Sequence, residues 1–379
     1  MLKRPREEKM KVAHLTSAHP RYDARIFLKQ CRSLAEAGHE VHLVVADGKG
    51  DEAQASVYIH DVGIIRGRLK RMLSTTQKVH GKAVELDADI YHLHDPELLP
   101  VGYRLKKAGK KVVFDSHEDV PVQILDKPYL SPAARKVVSK VFAMYESWVC
   151  SRLDAVVSAT QFINEKFLRI NPRSVVVCNF PMLDELAVVD VAWSEKKDQV
   201  CYIGSIAKTR GVVEIVDAIG RTPGSTKLAL AGDLERSALT RILEASSGWE
   251  RTKALGFLDR DGVKRTLGES RAGLVTLHPT RSYLDALPVK MFEYMAAGVP
   301  VITSDFPLWR EIVENTQCGK CVNPLDAAEI AGAISWFVQN PVEAEIMGNN
   351  GRRAVKEHYN WGVEKGKLLD LYSRIEQEV

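Results

Sequence analysis

Asp285 and Glu293 stand eight positions apart in "RSYLDALPVKMFEYMAAGVPVITSD", residues 281–305, with Leu287, Pro288 and Lys290 between them. A carboxylate can accept both hydroxyls of a vicinal diol, which suits it to hold a ribose, and a second carboxylate nearby can hold further sugar hydroxyls. "LPVKMFEYMAAG" reads as a helix. Pro288 sits at or near its first position, Ala296 and Ala297 fall in its last turn, and Gly298 ends it. Lys290 then lies in the first turn, where the helix dipole disfavours a cation. Such a local conflict is expected where function overrides stability. Exposed helix and loop charges are the structural alternative.

A second cluster is "YIGSIAKTRGVVEIVDAI", residues 202–219. A strand ends at Gly204, a short loop carries Lys208 and Arg210, and a helix begins at Gly211. Val212, Ile215, Val216 and Ile219 recur at helical spacing, so that helix buries one side. Its N-terminal N–H groups and dipole, with two cations beside them, make an anion site suited to phosphate. The loop is neither G-x-x-x-x-G-K-[ST] nor G-x-G-x-x-G, and a charged strand–helix loop can also be purely structural.

These clusters need strands and helices to hold them. "KVAHLTS" reads as a strand, "ARIFLKQCRSLAEAG" as an amphipathic helix stopped by Gly38, and "HEVHLVVAD" as a second strand. "DIYHLHD", "KKVVFDSH", "DAVVSAT" and "SVVVCNF" continue the strands, with helical patterns between them. Residues 181–199 lose this periodicity and read as a linker. The alternation restarts with "VCYIGSI", "GVVEIVDAIG", "KLALAGD", "RSALTRILEASS", "TKALGFLD", "AGLVTLHPT" and "VPVITSD". The pattern predicts an α/β protein of two Rossmann-like, doubly wound domains with ligands at the carboxyl ends of the strands and a cleft between the two sheets. The expected boundaries are a charged tail at 1–10, an N-terminal domain at 11–180, a linker at 181–199 and a C-terminal domain at 200–355. A helix at 356–379 is expected to pack back toward the N-terminal domain.

The chain has 379 residues, 45% hydrophobic and 27% charged, enough for two ordinary cores. No apolar run is long enough to span a bilayer, and the basic N-terminus does not read as a signal peptide. Six cysteines form no dense disulfide framework, which predicts a reducing cytoplasm. Cys318 and Cys321 make a lone C-x-x-C and are expected to be loop cysteines. Net charge is +4 but uneven, with basic stretches at residues 66–82 and 104–112. These read as solvated faces or as a cationic surface for anionic lipid or a phosphorylated acceptor at the inner face of the membrane. No aromatic-interleaved basic array supports nucleic acid as a partner.

The D-x7-E pattern followed by "YMAAGVPVI" resembles the E-x7-E signature of retaining GT-B glycosyltransferases of family 4, the group 1 glycosyltransferases. "GSIAKTRG" resembles that family's phosphate loop, and "VVFDSHE", "GFLDR" and "HYNW" are further matches across residues 11–375. Asp285 stands where the family has a glutamate, and "SAHPRYDARIF" replaces the glycine-rich loop after the first strand.

The resemblance implies transfer of a sugar from a UDP- or GDP-linked donor to a glycan or lipid-linked acceptor, with retention and without a metal or other cofactor. Catalytic roles fall to Arg210, Asp285 and His117. Arg210, assisted by Lys208 or Lys290, neutralises the diphosphate, Glu293 holds the ribose and Asp285 the donor sugar. Gly204, Leu287, His278 and the backbone at Phe257 and Leu258 complete the expected donor site. His117 matches the family histidine facing the donor, with Glu118 beside it to orient the imidazole. Arg21, Asp23, His94 and Asp95 are acceptor-side candidates. A nucleotide-sugar 2-epimerase on the same scaffold, or a non-catalytic nucleotide-sugar-binding protein, are the competing readings.

Overall fold

The computed structural model describes residues 9–65, 67, 70–127, 129–183, 191–234 and 238–377. Most of the charged tail, part of the 66–82 basic stretch and part of the linker lie outside the described residues. The chain divides into two compact units, Met1–Asn179 with Gly362–Val379, and Phe180–Trp361.

The first unit carries an eight-stranded sheet. Its strands are β1 (Lys11–Leu15), β2 (Glu40–Val45), β3 (Glu52–Gln54), β4 (Val57–Asp61), β5 (Ile90–Leu93), β6 (Lys111–Ser116), β7 (Ala155–Ser158) and β8 (Ser174–Val176). The order is β3-β4-β2-β1-β5-β6-β7-β8, parallel except for the antiparallel edge pair β3–β4. Strands such as "AVVS" and "IYHL" are buried on both faces because helices cover both sides. Val79, Leu99, Val101, Phe114, Val149 and Phe167 belong to the core on one side of this sheet. The helix Trp361–Glu376 adds its length from Gly362 to this unit and buries Leu368, Leu371 and Tyr372.

The second unit is a six-stranded, wholly parallel sheet. It comprises β9 (Gln199–Ile203), β10 (Lys227–Ala231), β11 (Thr252–Gly256), β12 (Ala272–Val275), β13 (Val301–Ser304) and β14 (Gly319–Val322), in the order β11-β10-β9-β12-β13-β14. The helix Val212–Arg221 buries Val212, Ile215, Val216 and Ile219, the stripe its spacing predicts. In each unit the first strand is central and the chain runs outward to both sides. The loops after β1 and β5, and after β9 and β12, therefore flank the points where strand order reverses, the usual place for a ligand.

Three elements differ from expectation. The hairpin β3–β4 has no clear alternation in "EAQASVYIHD" to announce it. Cys321 lies in the edge strand β14 and Cys318 is buried just before it, so this pair is part of the sheet edge rather than a loop, and both thiols are free. The first helix opens with eight residues, Ala24–Cys31, wound wider than an α-helix before continuing as Arg32–Glu36. The wide turn carries buried Arg25, Lys29 and Gln30, and such turns tend to mark functional positions.

Candidate active site

In the second unit, β9 runs into Gly204, a single turn at Lys208–Arg210, then Gly211 and the helix Val212–Arg221. Gly211 has φ +73°, and a Cβ there would sit 1.9 Å from the carbonyl oxygen of Thr276. Only glycine permits this crossing of the loops after β9 and β12. No side chain caps the helix, so its first N–H groups keep their capacity for an anion.

Lys290 enters the same place from the helix Val289–Ala296. Its ammonium lies 3.7 Å from the centre of the Tyr202 ring and would be 3.0 Å from a Cβ on Gly204. It is buried and its Nζ has no hydrogen-bond partner. Burial, with Arg210 adding to it and Glu293 opposing it, brings the Lys290 pKa down to about 7. A buried amine without an acceptor is costly unless a ligand supplies one. Arg210 is half-buried, with its guanidinium carbon 5.9 Å from the centre of the Tyr283 ring. Two of the cations expected to serve a phosphate, Arg210 and Lys290, thus converge at the carboxyl end of β9.

Glu293, three residues beyond Lys290, lies 3.3 Å from Arg260 Nη1 and remains part-exposed. Asp285 ends the short helix Arg281–Leu284, and burial raises its carboxyl above the ordinary range. The loop holding Asp285 and Leu287 is pinned by Trp309 Nε1 donating to Ala286 O at 2.7 Å. His278 follows β12, with Nε2 3.1 Å from Glu214 and its backbone N–H donating to Thr209 O. Phe257, in the loop after β11, leaves 87% of its surface exposed, while Leu258 is half-buried. Lys208 points to solvent.

The first unit holds a different polar cluster. His14 on β1 is the register partner of His92 on β5. His94 follows two residues later on the same face, and Asp115 falls one step past the Leu93–Phe114 pair. With His117 two residues beyond, four imidazoles and a carboxylate share one side of three adjacent strands. His14 Nδ1 lies 2.8 Å from His94 Nε2, and His94 Nδ1 lies 3.4 Å from Asp115 and 3.3 Å from His117 Nε2. His117 Nε2 is itself 3.3 Å from Asp115. Arg25 grips Asp115 with two bonds of 2.9 and 2.7 Å, and Gln30 donates a third at 2.7 Å. Burial opposes ionisation of Asp115, but Arg25 and the imidazoles outweigh it and hold the carboxyl well below its usual range.

An ionised Asp115 can only accept, so His94 presents Nδ1–H to it and Nε2 accepts from Nδ1–H of His14. Burial brings His94 down to about 4 and pulls His14 and His92 well below the ordinary histidine range. His92 Nδ1 meets the Tyr372 hydroxyl at 2.8 Å. These rings form a neutral, hydrogen-bonded frame behind His117, whose side chain is part-exposed.

Several sequence expectations change here. Arg21 is a brace within the unit: it bonds Asp47 at 2.8 and 2.7 Å and Gly50 O at 2.9 Å, and lies 3.0 Å from Glu52. Its guanidinium is taken up by these partners within the unit. His94 is fully enclosed in the network rather than displayed. Glu118 does not orient His117, since it accepts from Gln123 while Asp115 and His94 flank the imidazole. Asp23 caps the first helix, accepting from Arg25 N at 2.8 Å and Ile26 N at 2.9 Å. Asp95 accepts from Thr16 Oγ1 at 2.8 Å and Ser17 N at 2.6 Å.

His19 was not singled out by motif or spacing, yet it lies 3.4 Å from both Asp23 and Asp95. Burial would lower its pKa, but Asp23 and Asp95 prevail and raise it. Its ring centre is 5.1 Å from that of His117. The alternating histidines of "YHLHD" are a visible signal of this cluster beside "VVFDSHE", since residues two apart on a strand share a face.

Comparison with known proteins bears on both units. Residues 24–180 match the family described as Glycosyltransferase Family 4, and residues 186–354 match Glycosyl transferases group 1. A glycogen synthase of Mycobacterium tuberculosis is 23% identical, covering 90% of this chain and 88% of that protein. Among solved structures, a sucrose-phosphate synthase from Thermosynechococcus elongatus superposes with a TM-score of 0.79 at 19% identity, covering 98% of this chain and all of that one. Anabaena HepE, solved in complex with UDP, superposes with a TM-score of 0.74 at 16% identity, covering 96% and 100% of the two chains. The architecture of two Rossmann-like domains is the GT-B fold of these structures.

Proposed function

Since the chain belongs to the group 1 and family 4 glycosyl transferases, we propose that it moves a sugar, with retention, from a nucleotide diphosphate sugar to a glycan or lipid-linked glycan of the cell surface. The observation that carries this reading is Lys290, a buried ammonium without an acceptor, set beside Arg210 and an uncapped helix N-terminus. A diphosphate would supply the missing negative charge. The UDP complex of HepE supports a nucleotide donor by analogy of fold.

In this reading no metal is needed, because Lys290, Arg210 and the N–H groups after Gly211 neutralise the departing diphosphate. Each well-placed donor of this kind contributes about 3–4 kcal/mol to the transition state. Glu293 accepts the ribose hydroxyls, and the backbone at Phe257 and Leu258 meets the base. Asp285 and His278 serve the donor sugar. His117, held by Asp115, keeps its other ring nitrogen outside these bonds and is the first unit's catalytic candidate, and the acceptor hydroxyl attacks the sugar from the face the diphosphate leaves. His19, set between Asp23 and Asp95, is the acceptor-side candidate of the first unit. Catalysis takes place on the cytoplasmic side of the membrane.

The experiment is incubation with single UDP- and GDP-sugars, with and without glycan acceptors and with a chelator throughout. Nucleoside diphosphate release and the anomeric configuration of the product are followed by NMR. Retained configuration with chelator present supports the proposal. Wild-type turnover in both Lys290→Ala and Arg210→Ala would remove its basis, and release of an epimerised sugar would replace it with isomerase chemistry.

A further inference from the structure

The helix Pro132–Cys150 turns an unusual face to solvent. Val137, Val141, Met144 and Trp148 follow one another at spacings of four, three and four residues, which stacks them in one stripe. They are 62%, 60%, 65% and 43% exposed, and Val138 beside them is 43% exposed. The eleven rises from Val137 to Trp148 make this stripe about 16 Å long. Single exposed apolar residues need no explanation, but a contiguous row marks a surface that something covers.

Charge identifies what covers it. Lys136 and Lys140 are exposed on the same helix, Arg152 stacks over Trp148 at 4.3 Å, and Lys107 lies 5.0 Å from the centre of the Tyr103 ring. Tyr103 in turn sits 4.7 Å from Trp148. The one acid of the helix, Glu146, is fully buried and lies 2.5 Å from Lys166, so no negative charge on this helix faces outward. A two-fold pairing of this face with a second copy would set lysines against lysines. An anionic lipid surface would instead take the apolar stripe into its headgroup boundary and the cations onto its phosphates, with Trp148 and Tyr103 at the boundary itself. Among the described residues no helix is long and apolar enough to cross a membrane, so the contact would lie on the bilayer.

We propose that the outward face of Pro132–Cys150, with Tyr103, Lys107 and Arg152 at its rim, is a docking surface for an anionic lipid bilayer. The inference deepens the reading of a lipid-linked acceptor, but its test does not depend on turnover.

The full chain is sedimented with vesicles of phosphatidylcholine alone, or of phosphatidylcholine with one-third phosphatidylglycerol. Met144→Asp, Val141→Asp and the double variant Lys136→Glu/Lys140→Glu are run beside it, with circular dichroism to confirm their folding. Binding to the anionic vesicles, falling at least tenfold in the folded variants and with added salt, supports the surface. Three results would overturn it: no sedimentation with either vesicle, binding that the variants leave unchanged, or a concentration-dependent dimer in light scattering that Met144→Asp dissolves. Donor hydrolysis, measured on the same samples without vesicles, reports separately on the transferase reading and is expected to be unchanged in these variants.

Discussion

The Lys290 ammonium stands 3.7 Å over the Tyr202 ring with no hydrogen-bond acceptor, and its pKa falls to about 7 because burial strips it of water. Three strands, β10, β11 and β12, lie between these residues in sequence, yet their pairing gives the site its sharpest electrical feature. A cation–π contact softens the loss of water but does not replace a true counter-charge.

A pH dependence follows with a definite sign. The folded pKa of Lys290 lies below its unfolded value, so between pH 7 and about 10 the unfolded chain binds more protons and stability of the ligand-free protein rises with pH. Lys290→Met should flatten that rise in urea titrations. Binding a diphosphate should restore the charge, so calorimetry at pH 8 in two buffers of different ionisation enthalpy should register proton uptake in the wild type and none in Lys290→Met.

Arg210 and Glu293 should affect turnover far more than folding. Arg210 has an aromatic neighbour at 5.9 Å, and Glu293 one part-exposed partner in Arg260. Surface pairs of this kind contribute about 0–1 kcal/mol. Arg210→Ala should lower kcat by about 10²–10³-fold, and Glu293→Ala should chiefly raise KM for the donor. Steady-state kinetics with melting curves as control would distinguish this from simple unfolding.

Asp115→Asn is expected to be severe. It would leave the buried Arg25 guanidinium without its charge partner, a loss of about 3–5 kcal/mol. If the protein still folds, His117 loses the acceptor for its Nε2–H, and kcat should fall further than KM changes. Denaturant unfolding together with kinetics separates the two effects.

The histidine frame should make the protein acid-sensitive. His94 has a folded pKa of about 4, below the unfolded value of about 6.5, so stability is full above pH 6.5 and is lost progressively as pH falls toward 4. Urea midpoints measured over this range should fall in the wild type. His94→Gln should make the curve shallower while lowering its plateau.

Gly211→Ala should damage the proposed phosphate loop itself. The added methyl would meet the Thr276 carbonyl at 1.9 Å in a left-handed backbone. The loop after β9 would have to withdraw, and nucleotide-induced stabilisation in a thermal melt should shrink or vanish.

Much of the proposed donor side is legible along the chain. Gly204, Arg210, Gly211, Asp285, Lys290 and Glu293 lie in two short segments whose helices and stops are announced by local periodicity, Pro288 and Gly298. Helical spacing is a property of neighbouring residues, so it survives without knowledge of the fold. Lys290 already stands out in the sequence as a cation in a helix's first turn.

The order of strands is not a local property, and the other cluster depended on it. His14, His92, His94, Asp115 and His117 are brought together only because β1, β5 and β6 lie side by side in register. The wide turn at Ala24–Cys31 then delivers Arg25 and Gln30 to the same carboxylate. Arg21 looked like a ligand-binding cation until Asp47 and Glu52 were found to neutralise it. Chain periodicity determined which elements form and where two of the loops carry charge. Tertiary packing decided which charges meet, because a carboxylate's partner is set by distance in space, and parallel sheets join residues far apart in sequence.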